Sequence, residues 1–337
     1  MERCPIELWH KIFFHACTDG GRTGSALTLV SRRVRDIAQS VRYHSVSLVG
    51  QNQFLAFARM LTELSIRPTI SHLFISAHVP PGSWSTPTTI RAKHLSLEQA
   101  FAGILAVAAP ALKTLMIHDS PHFDVTAASL SFPLLTDLST DFLRSRGDST
   151  LRARFPCIRR LHLSECYTTY GCWDEIALLA PSITHVRFSG ISMDAGIAPF
   201  LRVLLDIPAD VPYGFHSAST YDYYVSGSRM ATHATEIAAV VRYLKEVYVQ
   251  LRSCRVGTET TVCHAQTKSE LEYITKAGAV GLGNGRLYLL NPSESYDLRA
   301  ACEDWLDVVD GGDGPWASGS EGRDAPCAHY GLHTRAA

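Results

Sequence analysis

Histidine, cysteine and glycine are the residues through which chains most often hold metals, attack carbonyls or cradle phosphates. Here they meet in only a few close spacings. His118 and His122 stand four apart around Asp119, an interval that puts two ligands on one face of a helix. Pro121 lies between them and a strand-like run precedes them, so the spacing predicts a loop without a fixed ligand face. Gly281-x-Gly283-x-Gly285 suggests a phosphate loop, but RLYLLNP follows it and reads as a strand where such a loop needs a helix. Asn284-Gly285 is better suited to a tight turn between strands. Cys263-His264 joins a thiol to an imidazole with no third group in the sequence to activate the pair. His329 and His333 fall in a C-terminal stretch rich in Gly, Ser and Asp. No G-x-S-x-G elbow, Walker loop or H-E-x-x-H occurs. No catalytic residue, metal or cofactor is therefore expected.

Composition narrows the classes further. The 337 residues are 46% hydrophobic and 19% charged, values of a globular chain with ample material for a core. Net charge is −1, whereas a binder of phosphate backbones needs a clustered surplus of Lys and Arg. Nucleic acid is not an expected partner. The nine cysteines are scattered without a C-x-x-C pair, which argues against a zinc knuckle or thioredoxin-type site and for reduced thiols in the cytoplasm or nucleus. Neither a signal-peptide h-region nor an apolar run of membrane-spanning length is present, so no membrane association is expected.

With chemistry absent, the first fifty residues carry the strongest signal. Pro5 stands where a helix begins, a place where its missing N–H costs nothing. Behind it Leu8, Trp9, Ile12, Phe13 and Ala16 recur at helical spacing. Asp19-Gly20-Gly21 breaks the chain. A second helix follows with Leu27, Leu29 and Val30, and a third with Arg32, Arg33 and Arg35 outside and Val34, Ile37 and Val41 opposite. Three helices this short bury little by themselves, so the module must lean on the rest of the chain or on a partner.

The order Pro5, Glu7-Leu8, Ile12-Phe13, Leu29-Val30 and Ser31-Arg32-Arg33-Val34-Arg35 resembles an F-box, over about residues 4–48. Two positions depart from that family. Val34 replaces the aromatic common in the third helix, and Tyr43-His44 stands where many members close with Leu-Trp. The resemblance implies docking to the small SKP-type adaptor of a cullin–RING ubiquitin ligase. The contacts it implies are Pro5, Ile6, Leu8, Trp9, Ile12, Phe13, Leu27, Leu29 and Val30. The competing reading makes these helices an N-terminal cap on a larger domain.

Behind the module the chain repeats itself. Ala109-Pro110-x-Leu112-x-x-Leu115, Phe132-Pro133-x-Leu135-x-x-Leu138, Phe155-Pro156-x-Ile158-x-x-Leu161 and Ala180-Pro181-x-Ile183-x-x-Val186 share one pattern, with prolines 23, 23 and 25 residues apart. Ile117, Leu163 and Phe188 continue three of them at the alternate position, and Thr140 interrupts the other. Alternation predicts a short strand with one buried face. Proline ends the apolar runs Gln99–Ala109 and Glu175–Ala180, which read as helices. Weaker copies start at Ile70 and Leu244, and Leu287 with Leu289 predicts a further strand. The period resembles the leucine-rich-repeat class, with Cys166 at the position where that family often has Asn or Cys. The implied fold is α/β: an N-terminal F-box followed by an irregular solenoid of short parallel strands and helices.

Two inserts and a tail complete the expected plan. VPPGSWSTPTT after His78 reads as an exposed loop. Residues 206–232 carry Tyr213, Phe215, Tyr221, Tyr223 and Tyr224, and tyrosines on a rim are good anchors for a recruited protein. A helix from Tyr296 to Val309 would cap the last repeat, and 311–337 would be a disordered tail. The expected organisation is 1–48 adaptor module, 49–310 target-binding repeats and 311–337 tail. The expected role is the substrate-recognition subunit of an SKP–cullin–F-box ligase, not itself an enzyme, whose protein target the sequence does not name. The alternative is a repeat scaffold with no ligase attached.

Overall fold

The computed structural model describes residues 4–64, 67–77, 87–120, 123–125, 129–141, 154–164, 182–191, 243–252, 260–279, 286–293 and 296–316, with positions 180, 197, 198, 201 and 205. Three short helices open the chain: α1 (Ile6–Ala16), α2 (Arg22–Val30) and α3 (Arg32–Ala38). One eight-stranded, all-parallel sheet follows, with strands in strict chain order: β1 (Ser45–Val49), β2 (His72–Ser76), β3 (Thr114–His118), β4 (Asp137–Thr140), β5 (Arg160–Ser164), β6 (His185–Ile191), β7 (Glu246–Arg252) and β8 (Arg286–Ser293). Helix α4 (Gln51–Glu63) links β1 to β2, and α5 (Pro87–Ala108) links β2 to β3. α6 (Thr260–Ala279) links β7 to β8, and α7 (Leu298–Val309) closes the described chain with a 3-10 turn at Gly314–Trp316. The chain is an α/β protein.

Each expected strand forms, including those from the weak copies and the degraded one. The register runs Val46, Leu73, Leu115, Leu138, Leu161, Val186, Val247 and Leu287, one residue per strand. All eight are buried. Beside them Ile75, Ile117, Leu163, Phe188 and Val249 form a second buried row in which Thr140, also fully buried, fills the position between Ile117 and Leu163. These residues share the first face of the sheet with Phe54 of α4, Phe101, Ile104 and Leu105 of α5, and Leu271 and Ile274 of α6. Phe123 stacks between Phe54 and Phe101, with ring centroids 5.1 and 4.5 Å away.

The segments before β3 to β7 show why proline recurs. Leu112, Leu135, Ile158, Ile183 and Leu244 turn inward to the core. At the next residue the main chain starts a continuous ladder: Lys113 donates to Ser71, Thr136 to Lys113, Arg159 to Thr136, Thr184 to Arg159 and Lys245 to Thr184, and Arg286 in turn donates to Lys245, at 2.7–3.0 Å. Helix α5 stops at Ala108, directly before the Pro110 turn. Phe132 and Phe155, each preceding its proline, stack at 5.1 Å in the core.

Three expectations need correction. The module of residues 1–48 ends earlier: Ser45–Val49 is a strand, and Val46 and Leu48 belong to the core of the sheet. The boundary moved because SVSLV alternates like the strands behind it. The C-terminal helix does not cap the last strand. α7 lies on the opposite, second face, against β2 and β3, because Trp305 and Tyr296 bury among Phe74 and Met116. Nor does the ordered chain stop at 310. Gly314, Pro315 and Trp316 are buried, and Trp316 packs edge-on to His185 and Tyr248. Composition in this stretch hides the one tryptophan that matters.

Candidate interaction surfaces

The N-terminal helices are shaped by caps and by two close approaches. Pro5 precedes α1, and its carbonyl accepts from Leu8 and Trp9. Asp19 receives the Thr23 N–H and hydroxyl at 2.7–3.0 Å, fixing the start of α2. Ser31 Oγ accepts from Val34 N at 3.2 Å and caps α3. A Cβ on Gly24 would lie 2.2 Å from the Arg42 carbonyl oxygen, so only glycine lets α2 lie this close to the chain after α3. Gly20 holds φ +73°, and a Cβ there would sit 2.9 Å from Ser47 Cβ and 3.5 Å from the Trp305 ring. The backbone of Gly20 thus fits between β1 and α7. Its carbonyl accepts from Ser47 N at 3.1 Å, and Ser45 Oγ donates to the Cys17 carbonyl at 2.8 Å. The three-helix unit is tied to the outer edge of β1.

This docking divides the nine expected adaptor contacts. Pro5, Ile6, Leu8, Ile12, Leu29 and Val30 face outward; Leu29 is 82% exposed, Val30 61%, Ile6 55% and Ile12 52%. Phe13 turns inward onto Val34, Ala38 and Val41, with Trp9 and Leu27 partly buried beside it. Trp9 and Phe13 rings lie 5.4 Å apart. Those three are the module's own core, which the sequence does not separate from the outward set because both recur at helical spacing. Phe14, 36% exposed, joins the outward set without having been expected there; its ring lies tilted against His44, with centroids 4.0 Å apart. The tyrosine-bearing positions Tyr213, Phe215, Tyr221, Tyr223 and Tyr224 lie outside the described residues, as do Gly281–Gly285, His122, Cys166, His329, His333 and the Cys263-His264 side chains.

The second face of the sheet has a different chemistry from the first. One row reads His72, Thr114, Asp137, Arg160, His185, Glu246 and Arg286, and the next Phe74, Met116, Ser139, His162, Arg187, Tyr248 and Tyr288. Carboxylates and basic side chains neighbour one another along the first row. Arg160 pairs with Asp137, and His185 Nε2 lies 3.6 Å from Glu246 Oε2. Burial lowers the pKa of His185 while Glu246 pulls the other way. Tyr248 donates to Glu246 at 2.5 Å and stacks on Tyr288 at 4.9 Å. Burial first, then that carboxylate, raises the Tyr248 phenol.

At the middle of this face Ser139 Oγ lies 3.0 Å from His162 Nδ1, and Ser189 Oγ 3.0 Å from His162 Nε2. A hydroxyl beside an imidazole is the pairing of a nucleophile and base. His162 is only 1% exposed, and its ring meets Tyr296 edge-on at 4.8 Å. The adjoining cavity of about 20 Å³ holds roughly one water molecule. The trio is a cross-strand tie. Burial drives the pKa of His162 well below its ordinary value, so the ring is neutral. Next to it His118 Nδ1 lies 3.7 Å from Asp141, which accepts from Ser164 at 2.5 Å. Among the described residues no group of three or more His, Cys, Asp or Glu is placed to hold a metal ion.

Among the described residues no helix is long and apolar enough to cross a membrane. No family model, curated protein or solved structure matches this chain.

Proposed function

We propose that the chain is the substrate-recognition subunit of an SKP–cullin–F-box ubiquitin ligase, with α1–α3 as its F-box and the sheet as an irregular leucine-rich-repeat-like solenoid. One observation carries the reading. Ile6, Leu8, Ile12, Leu29 and Val30 are large apolar side chains left exposed on two neighbouring helices, while Phe13, Val34, Ala38 and Val41 form the buried cluster that holds the helices together. Scattered apolar side chains on a surface mean little, but a group of this kind marks a docking site. The chain-ordered parallel strands and the 23-residue steps from Leu115 to Leu138 to Leu161 support the repeat assignment. In this role the chain holds an adaptor and a target protein, and modification follows from proximity.

The test is co-purification of the intact chain with an SKP-type adaptor and cullin. Leu8→Asp with Leu29→Asp removes the adaptor while leaving stability within about 0.5 kcal/mol, the usual range for surface changes. Adaptor recovery unchanged by both substitutions, or no recovery with the unaltered chain, contradicts the proposal. The scaffold alternative has its own support. The Gly20 carbonyl satisfies Ser47 N on β1, as an edge cap does. That reading expects the same substitutions to alter no complex.

A further inference from the structure

The second face and the C-terminal segment meet as two separately finished surfaces. The first face is apolar along its length, as a permanently buried face is. The second face, equally covered near its middle, presents Ser139, His162, Ser164 and Ser189, which are buried but bond among themselves or to Asp141. Arg160 likewise has Asp137. On its side the segment keeps its own bonds. Tyr296 donates to Asp304 at 3.0 Å, Asp297 caps α7 at Ala300 N, and Asp307 accepts from Gly314 N. These bonds all survive if the two surfaces part. Among the described residues the surfaces meet through apolar packing, with Leu298, Ala301, Leu306 and Val309 beside three aromatic anchors: Trp305 on Phe74 at 5.6 Å, Tyr296 on His118 and His162, and Trp316 on His185 and Tyr248. Arg160 also reaches an exposed Asp313 at 3.6 Å, and such exposed pairs contribute little.

The fit is also imperfect. The cavity of about 20 Å³ lies between the surfaces, lined by Met116 and His162 on one side and Trp305 and Trp316 on the other. The Trp305 indole N–H is buried with no hydrogen-bond partner among the described residues, a cost of closure that opening relieves. An amphipathic helix held in a groove by spaced aromatic anchors is a recognition mode used between proteins. Here it occurs within one chain.

We propose that residues 296–316 are a releasable strap on a helix-binding groove. The groove runs over the second face from β2 to β7 and suits an acidic amphipathic helix with Tyr and Trp anchors. The C-terminal segment fills it in cis, and a partner helix of the same chemistry takes its place when the strap lifts. The proposal stands whether or not α1–α3 dock an adaptor.

Hydrogen exchange on the unaltered full chain is the primary test. Amides of Leu298–Val309 exchange on the order of a hundredfold faster than those of β3 to β5, as a unit that opens without global unfolding. Trp305→Ala and, separately, Trp316→Ala accelerate α7 further and leave the sheet protected. A labelled peptide of residues 296–316 then binds the full-length Trp305→Ala chain, measured by fluorescence anisotropy. It does not bind the unaltered chain, where the tethered strap competes at roughly millimolar effective concentration. Exchange of α7 no faster than the sheet overturns the proposal, as does a peptide that fails to bind a Trp305→Ala chain with its sheet intact. Should Trp305→Ala lose the fold, exchange in the unaltered and Trp316→Ala chains decides.

Discussion

At the scale of single residues, the buried histidines make the fold sensitive to acid. Burial, with Lys113 and His15 adding to it, lowers His44 to about 4. His72, half-buried and beside His44 with ring centroids 5.0 Å apart, falls to about 3, through desolvation first and then His44 and Lys113. With His162 these rings are neutral in the folded chain, while their unfolded counterparts take up protons near pH 6.5. The unfolded state therefore binds more protons below that pH. Stability is fully present above about 6.5 and declines by up to about 1.4 kcal/mol per pH unit for each ring as pH falls toward 4. Urea midpoints measured from pH 7.5 to 4.5 will drop monotonically, and a flat profile would contradict the neutral assignment. Gly20 makes a second prediction. Gly20→Ala must hold φ +73° against Ser47 and costs about 1–2 kcal/mol from backbone strain alone, read as a lower urea midpoint. An unchanged midpoint would mean that the loop does not need that conformation.

At the scale of elements, each strand is one rung whose inward residues stack on the next. Phe132→Ala or Phe155→Ala removes one member of a stacked pair in the core and costs about 3–5 kcal/mol. The double variant will cost less than the sum by about 0.5–1.5 kcal/mol, the part that belongs to the ring pair. Strict additivity would show that the rings do not interact. The rungs were legible in the sequence because proline and alternation repeat together, even at the degraded copy, where Thr140 still enters the core. The position of α7 was not legible. Its apolar stripe says that one side is buried but carries no information on which surface buries it. Asp304 shows the same limit: its acidic type does not announce that it is buried, accepting from Tyr296 eight residues back.

At the scale of the whole molecule, the outward and inward sides of α1–α3 separate two experiments that a helical stripe merges. Leu8 and Leu29 report on docking. Phe13, 5% exposed, reports on folding, and Phe13→Ala costs about 3–5 kcal/mol, measured as a lost urea midpoint before any partner is added. A Phe13→Ala chain as stable as the original would refute the assigned module core. The sequence located the three helices but not this division, which depends on where Cys17 and Gly20 fasten to β1. That fastening brings Gly20 against Trp305, so residues from opposite ends of the described chain touch. During synthesis the contact must wait. Roughly 250 residues separate β1 from α7, or about 12–50 s of elongation at ribosomal speed. Every newborn chain therefore makes β1 to β7 before α7 can cover the second face. A floor that sets serines, histidines and paired charges beside Phe74 and Met116 tolerates that interval better than a floor of leucines would.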